Sequence, residues 1–257
     1  MERVRITFPE MGNEIIREAV EKVSGEVEAV PALDLTEACE MVKNGSAEGL
    51  IAGIDYTSRD VILACRDGIG AKDATFSASF VFFKEGKAQY VIGDAAACKN
   101  PTVEQLHDIT LQTYETARAV LDEEPRIALL SFSTLGSGGK DPSIDRAREV
   151  ISRVRAEHPE IQIDGEMQLD AAVSPRVAEK KAPDSPVAGR ANVLIMPDLN
   201  SGNILYKAME QFGGFTAAGP ILQGFLTPCS DLSRGSTVED VLAVIEVVRK
   251  QLLNGRS

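Results

Sequence analysis

The 257-residue chain has 27 lysine and arginine residues against 39 aspartates and glutamates, which gives a formal net charge of −12. This excess argues against a surface that binds nucleic acid or an anionic membrane, because both need clustered cations, yet it allows a small anionic substrate in a locally basic cleft. Hydrophobic residues make up 44% and charged residues 26%, as in a globular protein of one or two domains.

The chain shows no targeting, membrane or metal-binding pattern. Its first ten residues, MERVRITFPE, lack the apolar core of a signal peptide, and no apolar run approaches the ~20 residues of a membrane span, so we expect a cytoplasmic protein. The four cysteines form no CxxC pair, which argues against a zinc or redox motif. The two histidines are too few for a histidine-rich metal site, and we expect no metal.

Short β-branched runs alternate with amphipathic stretches along the first hundred residues, a pattern typical of α/β architecture. Two apolar runs, Phe76–Phe83 and Ala88–Ile92, flank a polar turn with a glycine, which predicts a hairpin and a partly antiparallel sheet. Before them the predicted elements are a strand at Val4–Phe8, a helix capped by Asn13, a helix near Leu35–Val42 and a buried strand at Gly49–Gly53.

The second part of the chain continues the alternation. Thr102 and Gln105 fit a capping box, which predicts the start of a long helix. We expect the segment Glu179–Pro186 to be a surface loop. The elements predicted after the long helix are a strand at Ile127–Phe132, a helix over Ile144–Val154, a strand at Val193–Met196 and a final helix from about Val238.

Loops that follow two of these strands are candidate anion sites, because ligands of open α/β sheets gather at the carboxyl ends of strands. The loop Ser131–Gly139 has small residues that let backbone N–H groups approach a phosphate, although a structural glycine-serine turn is the commoner meaning of this composition. The second candidate is the segment Asp198–Lys207. Asn203 and Lys207 are four residues apart in it and therefore share a helix face. They would present an amide and a cation to a ligand, or form an ordinary helix cap with a solvated lysine.

A third candidate precedes the last helix. The hydroxyl of Ser233, the guanidinium of Arg234 and the helix N-terminus together favour an oxyanion site, with Asp240 one turn into the helix. The structural alternative is a capping box formed by Ser236 and Glu239, in which case Asp240 compensates the helix dipole.

Several blocks resemble, in the same order, the phosphate acetyltransferases (phosphotransacetylases) of the phosphate acetyl/butyryl transferase family. The string DLSRG at 231–235 is similar to the C-terminal signature of the acetyl enzymes, and the phosphate butyryltransferases end differently. The resemblance runs from about Gly49 to the C-terminus. Further blocks are LSFST at 130–134, DGEMQLDAA at 164–172, KAPDSPVAGRANV at 181–193 and PDLNSGNI at 197–204.

The resemblance implies reversible transfer of an acetyl or other short acyl group between phosphate and coenzyme A, by direct thiolate attack on an acyl phosphate. The implied ligands are coenzyme A, acetyl phosphate or another acyl phosphate, and inorganic phosphate, with no cofactor and no metal. The implied fold is α/β, with a mixed sheet and a central cleft between two domains, like the isocitrate and isopropylmalate dehydrogenases, usually as a homodimer. We expect a shortened first domain at residues 1–74 plus 225–257 and a second domain at 75–224.

The resemblance also implies roles for individual residues. Asp240 matches the base that takes the proton from the coenzyme A thiol, Ser233 matches the serine that stabilises the tetrahedral intermediate, and Arg234 matches the arginine that holds the phosphoryl end. A free thiol titrates near ~8.5, so a positioned base raises the thiolate fraction, and such help is worth roughly 10²–10⁴ in rate. Looser matches to the cleft lining are Ser133, Thr134, Gly136, Ser137, Asn203 and Lys207.

The chain departs from the family pattern in its N-terminal part. Much of the expected first domain is absent before residue 49, including one substrate arginine, and a second family arginine aligns with Leu63. Arg59 and Arg66 are candidate substitutes in the substrate site. The carboxylates of Asp164, Glu166 and Asp170 would suit a metal by composition, but the resemblance gives them no such role and we interpret them as structural.

Two alternatives follow from these departures. Because the chain lacks two of the family's substrate arginines, the first alternative is a non-catalytic paralogue that binds coenzyme A or an acyl phosphate. Ala218 stands where the family has a tyrosine, so a second alternative is a transferase for a longer acyl group such as propionyl or butyryl, with Ala218 enlarging the acyl end.

Overall fold

The computed structural model describes residues 3–256. The strands in this range are β1 (Val4–Phe8), β2 (Val27–Pro31), β3 (Gly49–Ala52), β4 (Ser77–Lys84), β5 (Lys87–Gly93), β6 (Arg126–Leu130), β7 (Gln162–Met167), β8 (Val193–Ile195), β9 (Thr216–Gln223) and β10 (Cys229–Asp231). The helices are α1 (Glu14–Lys22), α2 (Leu35–Lys43), α3 (Ser58–Ala64), α4 (Val103–Val120), α5 (Pro142–Glu157), α6 (Leu169–Val173), α7 (Pro175–Lys181), α8 (Leu199–Gln211) and α9 (Val238–Asn254), with a π-helical turn at Cys65–Ile69.

All of these strands join one mixed sheet in the order β2-β1-β3-β10-β9-β4-β5-β8-β6-β7. Strands β2, β1, β3 and β10 form one parallel group, and β5, β8, β6 and β7 form another. Antiparallel pairs of β10 with β9, β9 with β4 and β4 with β5 connect them. The predicted α/β class with a mixed sheet is confirmed, while the division into domains at residues 74 and 225 stays a prediction.

Helices cover both faces of the sheet, as buried parallel strands require. Strand β6 shows this by alternation: Ile127 and Leu129 join an apolar cluster with residues of α1, α4, α5 and α9, whereas Ala128 and Leu130 join a cluster with α6 and α8. The period of two therefore sends successive side chains into different cores.

Local signals place several element ends correctly. The side chain of Asn13 accepts from the backbone N–H of Ile15 at the start of α1, and Thr102 and Gln105 form the predicted capping box of α4. The hairpin of β4 and β5 turns through Glu85 and Gly86, both with positive φ, as a two-residue hairpin loop requires.

Three expectations about element ends were wrong. Strand β6 stops at Leu130, so Phe132 is exposed beyond it. The sequence predicts a loop at Glu179–Pro186, but helix α7 includes the first part of this segment and only residues 182–186 form a loop. The capping box of α9 pairs Thr237 with Asp240, one residue later than predicted, because the Ser236 hydroxyl instead accepts from the backbone N–H of Ser233.

Within residues 3–256 no helix is both long enough and apolar enough to cross a bilayer.

Candidate functional site

A cleft of about 540 Å³ lies at the carboxyl ends of β3 and β10. The loop after β3, the β10–α9 loop, one side of α8 and the first half of β9 form its walls. Five of the residues singled out from the sequence line this cleft: Ser233, Arg234, Asp240, Asn203 and Lys207.

The loop before α9 holds its functional side chains open to the cleft. Ser233 and Arg234 are exposed, and the backbone of Ser233 is fixed by the Ser236 hydroxyl, which accepts from its N–H at 3.1 Å. Within residues 3–256 the Arg234 guanidinium makes no ion pair, whereas Arg148, Arg155 and Arg249 each pair with a carboxylate. A free guanidinium beside a helix N-terminus is suited to bind a phosphate.

The two carboxylate oxygens of Asp240 lie in different environments. Its Oδ2 accepts from the backbone N–H of Thr237 at 2.8 Å and from the Thr237 hydroxyl at 2.9 Å, which completes the capping box. No hydrogen bond reaches Oδ1 from any described residue, and the side chain is half-buried at the cleft wall. The structural and the functional interpretations of Asp240 are therefore compatible.

Helix α8 supplies the opposite wall. A Cβ on Gly202 would lie 2.3 Å from the carbonyl oxygen of Asp94, so the glycine lets the helix pack closely against the sheet. On the cleft side, the Lys207 Nζ lies 4.7 Å from the centroid of the Tyr206 ring, which stacks on Phe80 at 4.1 Å. This wall thus combines an apolar aromatic surface with a cation that forms no ion pair among the described residues.

A buried carboxylate that the sequence reasoning missed builds the β3 side of the cleft. Glu10 is 7% exposed, and its two oxygens accept four consecutive backbone N–H groups, from residues 53 to 56, at 2.5–3.4 Å. The loop held in this way carries Tyr56 and Ser58 to the cleft. The sequence gives only the Phe-Pro-Glu of the opening strand as a hint of this role.

Asp231, the last residue of β10, is the second functional candidate that the sequence reasoning left without a role. It lines the cleft, yet it is 1% exposed and its Oδ1 has no hydrogen-bond partner among the described residues. The pKa of Asp231 is raised to about 6, chiefly by burial; the Ser58 hydroxyl opposes this increase, and the charge of Glu10 adds to it.

The loop Ser131–Gly139 is not among the residues that line the cleft. Its donors turn inward to Glu166, which is fully buried and accepts from the Ser133 hydroxyl at 2.7 Å, from the N–H of Gly136 at 2.8 Å and from Arg148 at 2.8 Å. Burial alone would raise the pKa of Glu166, but these donors hold it below its usual value.

The remaining hydroxyls of this loop are also used internally. The Ser137 hydroxyl accepts from the N–H of Thr134, and the Thr134 hydroxyl accepts from the N–H of Gln168. The four residues expected in the cleft from this loop therefore serve the loop itself in this structure: Ser133, Thr134, Gly136 and Ser137.

The candidate substitute arginines also lie outside the cleft lining. Arg59 is exposed in the first turn of α3, and Arg66 pairs with Asp67 at 2.7 Å. Ala218 is fully buried in the core, whereas its neighbours Ala217 and Gly219 line the cleft. The expectation that Ala218 enlarges the acyl end was therefore wrong, because the alternation of β9 turns its side chain away.

The acidic segment 164–170 forms ion pairs. Asp164 pairs with Arg155 at 2.7 Å, Asp170 with Lys181 at 2.9 Å, and Glu166 with Arg148. All three carboxylates therefore have structural partners.

Comparisons with known proteins agree on one family. The family model described as Phosphate acetyl/butaryl transferase matches residues 10–248. A phosphate acetyltransferase of Treponema pallidum is 41% identical over 228 residues, which cover 85% of this chain and 68% of that protein. A phosphate acetyltransferase of Bacillus subtilis is 40% identical over 214 residues, which cover 83% of this chain and 66% of that protein.

Solved structures give the same result. A phosphotransacetylase from Streptococcus pyogenes matches with a TM-score of 0.88 and 31% identity, over 98% of this chain and 94% of that chain. A 4-hydroxythreonine-4-phosphate dehydrogenase from Salmonella typhimurium matches with a TM-score of 0.61 and 12% identity, over 98% of this chain and 99% of that chain, and so shares the fold alone.

The fold is that of the dehydrogenase-like α/β proteins, with a polar cleft at the strand ends. Within this class, the chain belongs to the phosphate acetyl/butyryl transferase family, as the resemblance predicted. It spans about two thirds of the length of the Treponema pallidum and Bacillus subtilis relatives and about 30% of the length of other phosphate acetyltransferases that it matches.

Proposed function

We propose that this chain transfers an acetyl or other short acyl group reversibly between phosphate and coenzyme A. The observation that supports this most is the shared cleft of Ser233, Arg234 and Asp240, faced by Lys207 on α8. Five of the residues selected from the sequence line this cleft, and two of them, Arg234 and Lys207, are cations suited to bind an acyl phosphate.

The unpaired carboxylate oxygen of Asp240 takes the proton of the coenzyme A thiol. The thiolate then attacks the carbonyl carbon of the acyl phosphate, and phosphate leaves. Negative charge develops on the carbonyl oxygen and on the leaving group, where the Ser233 hydroxyl, the Arg234 guanidinium and the N-terminus of α9 offset it. Because a carboxylate is a weak base for a thiol, much of the acceleration comes from aligning the two substrates.

The acyl group is proposed to lie against the apolar side of the cleft. Phe80, Tyr206 and Ala217 supply that surface, and all three line the cleft. A difference of one methylene changes discrimination by only ~1–3 kcal/mol, so propionyl and butyryl phosphate are tested beside acetyl phosphate.

The test is thioester formation from coenzyme A and each acyl phosphate. Asp240→Asn is the matched control, because an asparagine oxygen can still accept from the N–H of Thr237 at the cap. We expect turnover by the wild type and a loss of roughly 10²–10⁴ in the variant. Absence of thioester with all three acyl phosphates contradicts the proposed activity.

One observation favours a second candidate, a non-catalytic paralogue that binds coenzyme A or an acyl phosphate. Arg59 and Arg66 do not line the cleft, so the arginines that the family uses for substrate have no replacement from α3 or the turn after it. Calorimetry that detects binding of coenzyme A without turnover supports this candidate.

The proposal further includes a homodimer, which the family resemblance implies, and a cytoplasmic location. Sedimentation of the purified chain tests the first, and fractionation of cells that express it tests the second.

A further inference from the structure

The Asp231 carboxyl has an unusual environment for a cleft residue. Its Oδ1 lies against Gly53, where a Cβ would come within 2.2 Å of that oxygen, and no described residue donates a hydrogen bond to it. Buried polar atoms without partners are rare in folded proteins, and each one calls for an explanation. Here the atom belongs to an acidic group at the wall of the proposed active site.

The groups that face Asp231 come from several elements. Glu10, after β1, adds a negative charge, and Ser58, at the start of α3, presents its hydroxyl. The buried Cys65 thiol in the π-helical turn has its pKa raised chiefly by Cys229, with a smaller contribution from the charge of Asp231. No described lysine or arginine forms an ion pair with Asp231, while Arg234 and Asp240 share the cleft with it.

These surroundings keep the carboxyl available as an acid. Burial raises the pKa of Asp231 to about 6, close to the pH at which an intracellular reaction runs, and a general acid is most effective when its pKa lies near that pH. Asp231 itself is almost fully shielded from solvent, but Ser58 is exposed and lines the same cleft. Because Ser58 and Asp231 line the same cleft and the Ser58 hydroxyl lowers the pKa of Asp231, this hydroxyl is the group suited to pass a proton between the buried acid and the cleft.

Resting on the proposed function, we propose that Asp231 supplies, through the Ser58 hydroxyl, the proton that the departing phosphate takes up. The sulfur–carbon bond forms as the carbon–oxygen bond to phosphate breaks, and the electron pair of that bond stays on the phosphate oxygen. Ser58 gives its proton to this oxygen and receives the proton of Asp231. The thiol proton goes to Asp240, and both carboxyls re-equilibrate with water.

The reaction has a need for such a group. Phosphate that leaves an acyl phosphate dianion unprotonated is a trianion, a much stronger base than the protonated form. Arg234 and Lys207 offset charge but remain cations, and Asp240 is occupied with the thiol proton. A second acid in the cleft supplies the proton that phosphate takes up as it leaves, and exchange with water afterwards restores both carboxyls.

The first test is calorimetry of inorganic phosphate binding in two buffers of different ionisation enthalpy, which measures protons taken up on binding. We expect the wild type to take up more protons near neutral pH than Asp231→Asn, because bound phosphate raises the pKa of Asp231 further. Equal uptake by the two proteins overturns the proposal. The measurement needs no turnover, so it separates this proposal from the proposed activity, and a wild type that binds no phosphate refutes both.

The second test compares substitutions of Ser58, whose neighbour Thr57 provides the helix cap, so that folding is preserved. We expect Ser58→Ala to lower the rate of thioester formation roughly a hundredfold and Ser58→Thr to retain it, since threonine keeps the hydroxyl. The wild-type rate falls as pH rises and Asp231 loses its proton, and this alkaline limb disappears in Asp231→Asn. Equal losses in both Ser58 variants, or an unchanged limb, disprove the relay.

Discussion

Glu10 Oε2 accepts a hydrogen bond from the backbone N–H of Gly53 at 2.7 Å, so a carboxylate that follows the first strand anchors the loop that follows the third. The two strands are hydrogen-bonded neighbours in the sheet. Through this contact, a residue near the start of the chain fixes the position of a loop that lines the cleft.

The first prediction concerns this anchor. Glu10→Ala leaves backbone N–H groups of residues 53–56 without their acceptor, and we expect the free energy of unfolding to fall on the order of 2 kcal/mol. Urea denaturation measures it. Glu40→Ala, at an exposed site of α2, is the control and should change stability little. Equal stability of the two variants contradicts the anchoring role.

The second prediction concerns the space between Gly53 and β10. A Cβ on Gly53 would lie 2.2 Å from Asp231 Oδ1 and 2.6 Å from the N atom of Leu232, and its φ of +115° disfavours any side chain. We expect Gly53→Ala to cost on the order of 1–3 kcal/mol of stability and to disturb the cleft. Gly12→Ala, where a Cβ meets nothing within 4 Å, serves as the comparison in thermal melts.

The third prediction concerns phosphate affinity. Arg234→Gln removes a guanidinium that makes no ion pair within residues 3–256, so the loss should fall on the ligand rather than on the fold. We expect inorganic phosphate to bind roughly 10–100-fold more weakly, because hydrogen bonds to charged groups contribute about 1.5–3 kcal/mol. Calorimetry tests this with Arg17→Gln, an exposed change on α1, as control. Unchanged affinity would exclude Arg234 from the phosphate site.

The fourth prediction concerns pH and stability. The pKa of Asp231 is raised in the folded state to about 6, so the folded protein binds this proton more tightly than the unfolded chain does. The contribution of this group to the free energy of unfolding is therefore lost as pH rises from about 4 to 6. Above that range the resulting destabilisation stays constant. We expect Asp231→Asn to be more stable than the wild type above pH 6 by about 1–3 kcal/mol, with the difference shrinking toward pH 4.

Urea denaturation at several pH values measures this difference. Asp145→Asn, a change at an exposed site in the first turn of α5, is the control substitution. A stability difference for Asp231→Asn that does not change between pH 4 and 7 would show that the carboxyl titrates normally.

The sequence predicted what depends on near neighbours. Caps such as Asn13 and Thr102 act within three residues, and the hairpin turn at Glu85 and Gly86 acts within one, so their signals are local. Family resemblance identified Asp240 as a residue of the site. No local pattern distinguishes this role from simple compensation of the helix dipole.

What failed depends on distant partners. The Ser133 hydroxyl faces inward because Glu166, 33 residues away, is buried beneath it, and the loop composition alone does not reveal that carboxylate. Ala218 turns to the core because of the register of β9, an element that the sequence reasoning did not predict. Glu10 and Asp231 gain their properties from burial, which only the assembled sheet determines.

Strand β10 lies between β3 and β9 in the sheet, yet it belongs to the last thirty residues of the chain. During synthesis, β3 has no partner on that side until residues 229–231 leave the ribosome, and Asp231 and the start of α9 arrive with them. The cleft therefore cannot form until β10, which follows β3 to β9 in the chain, has been synthesised, and the proposed phosphate site depends on the same step.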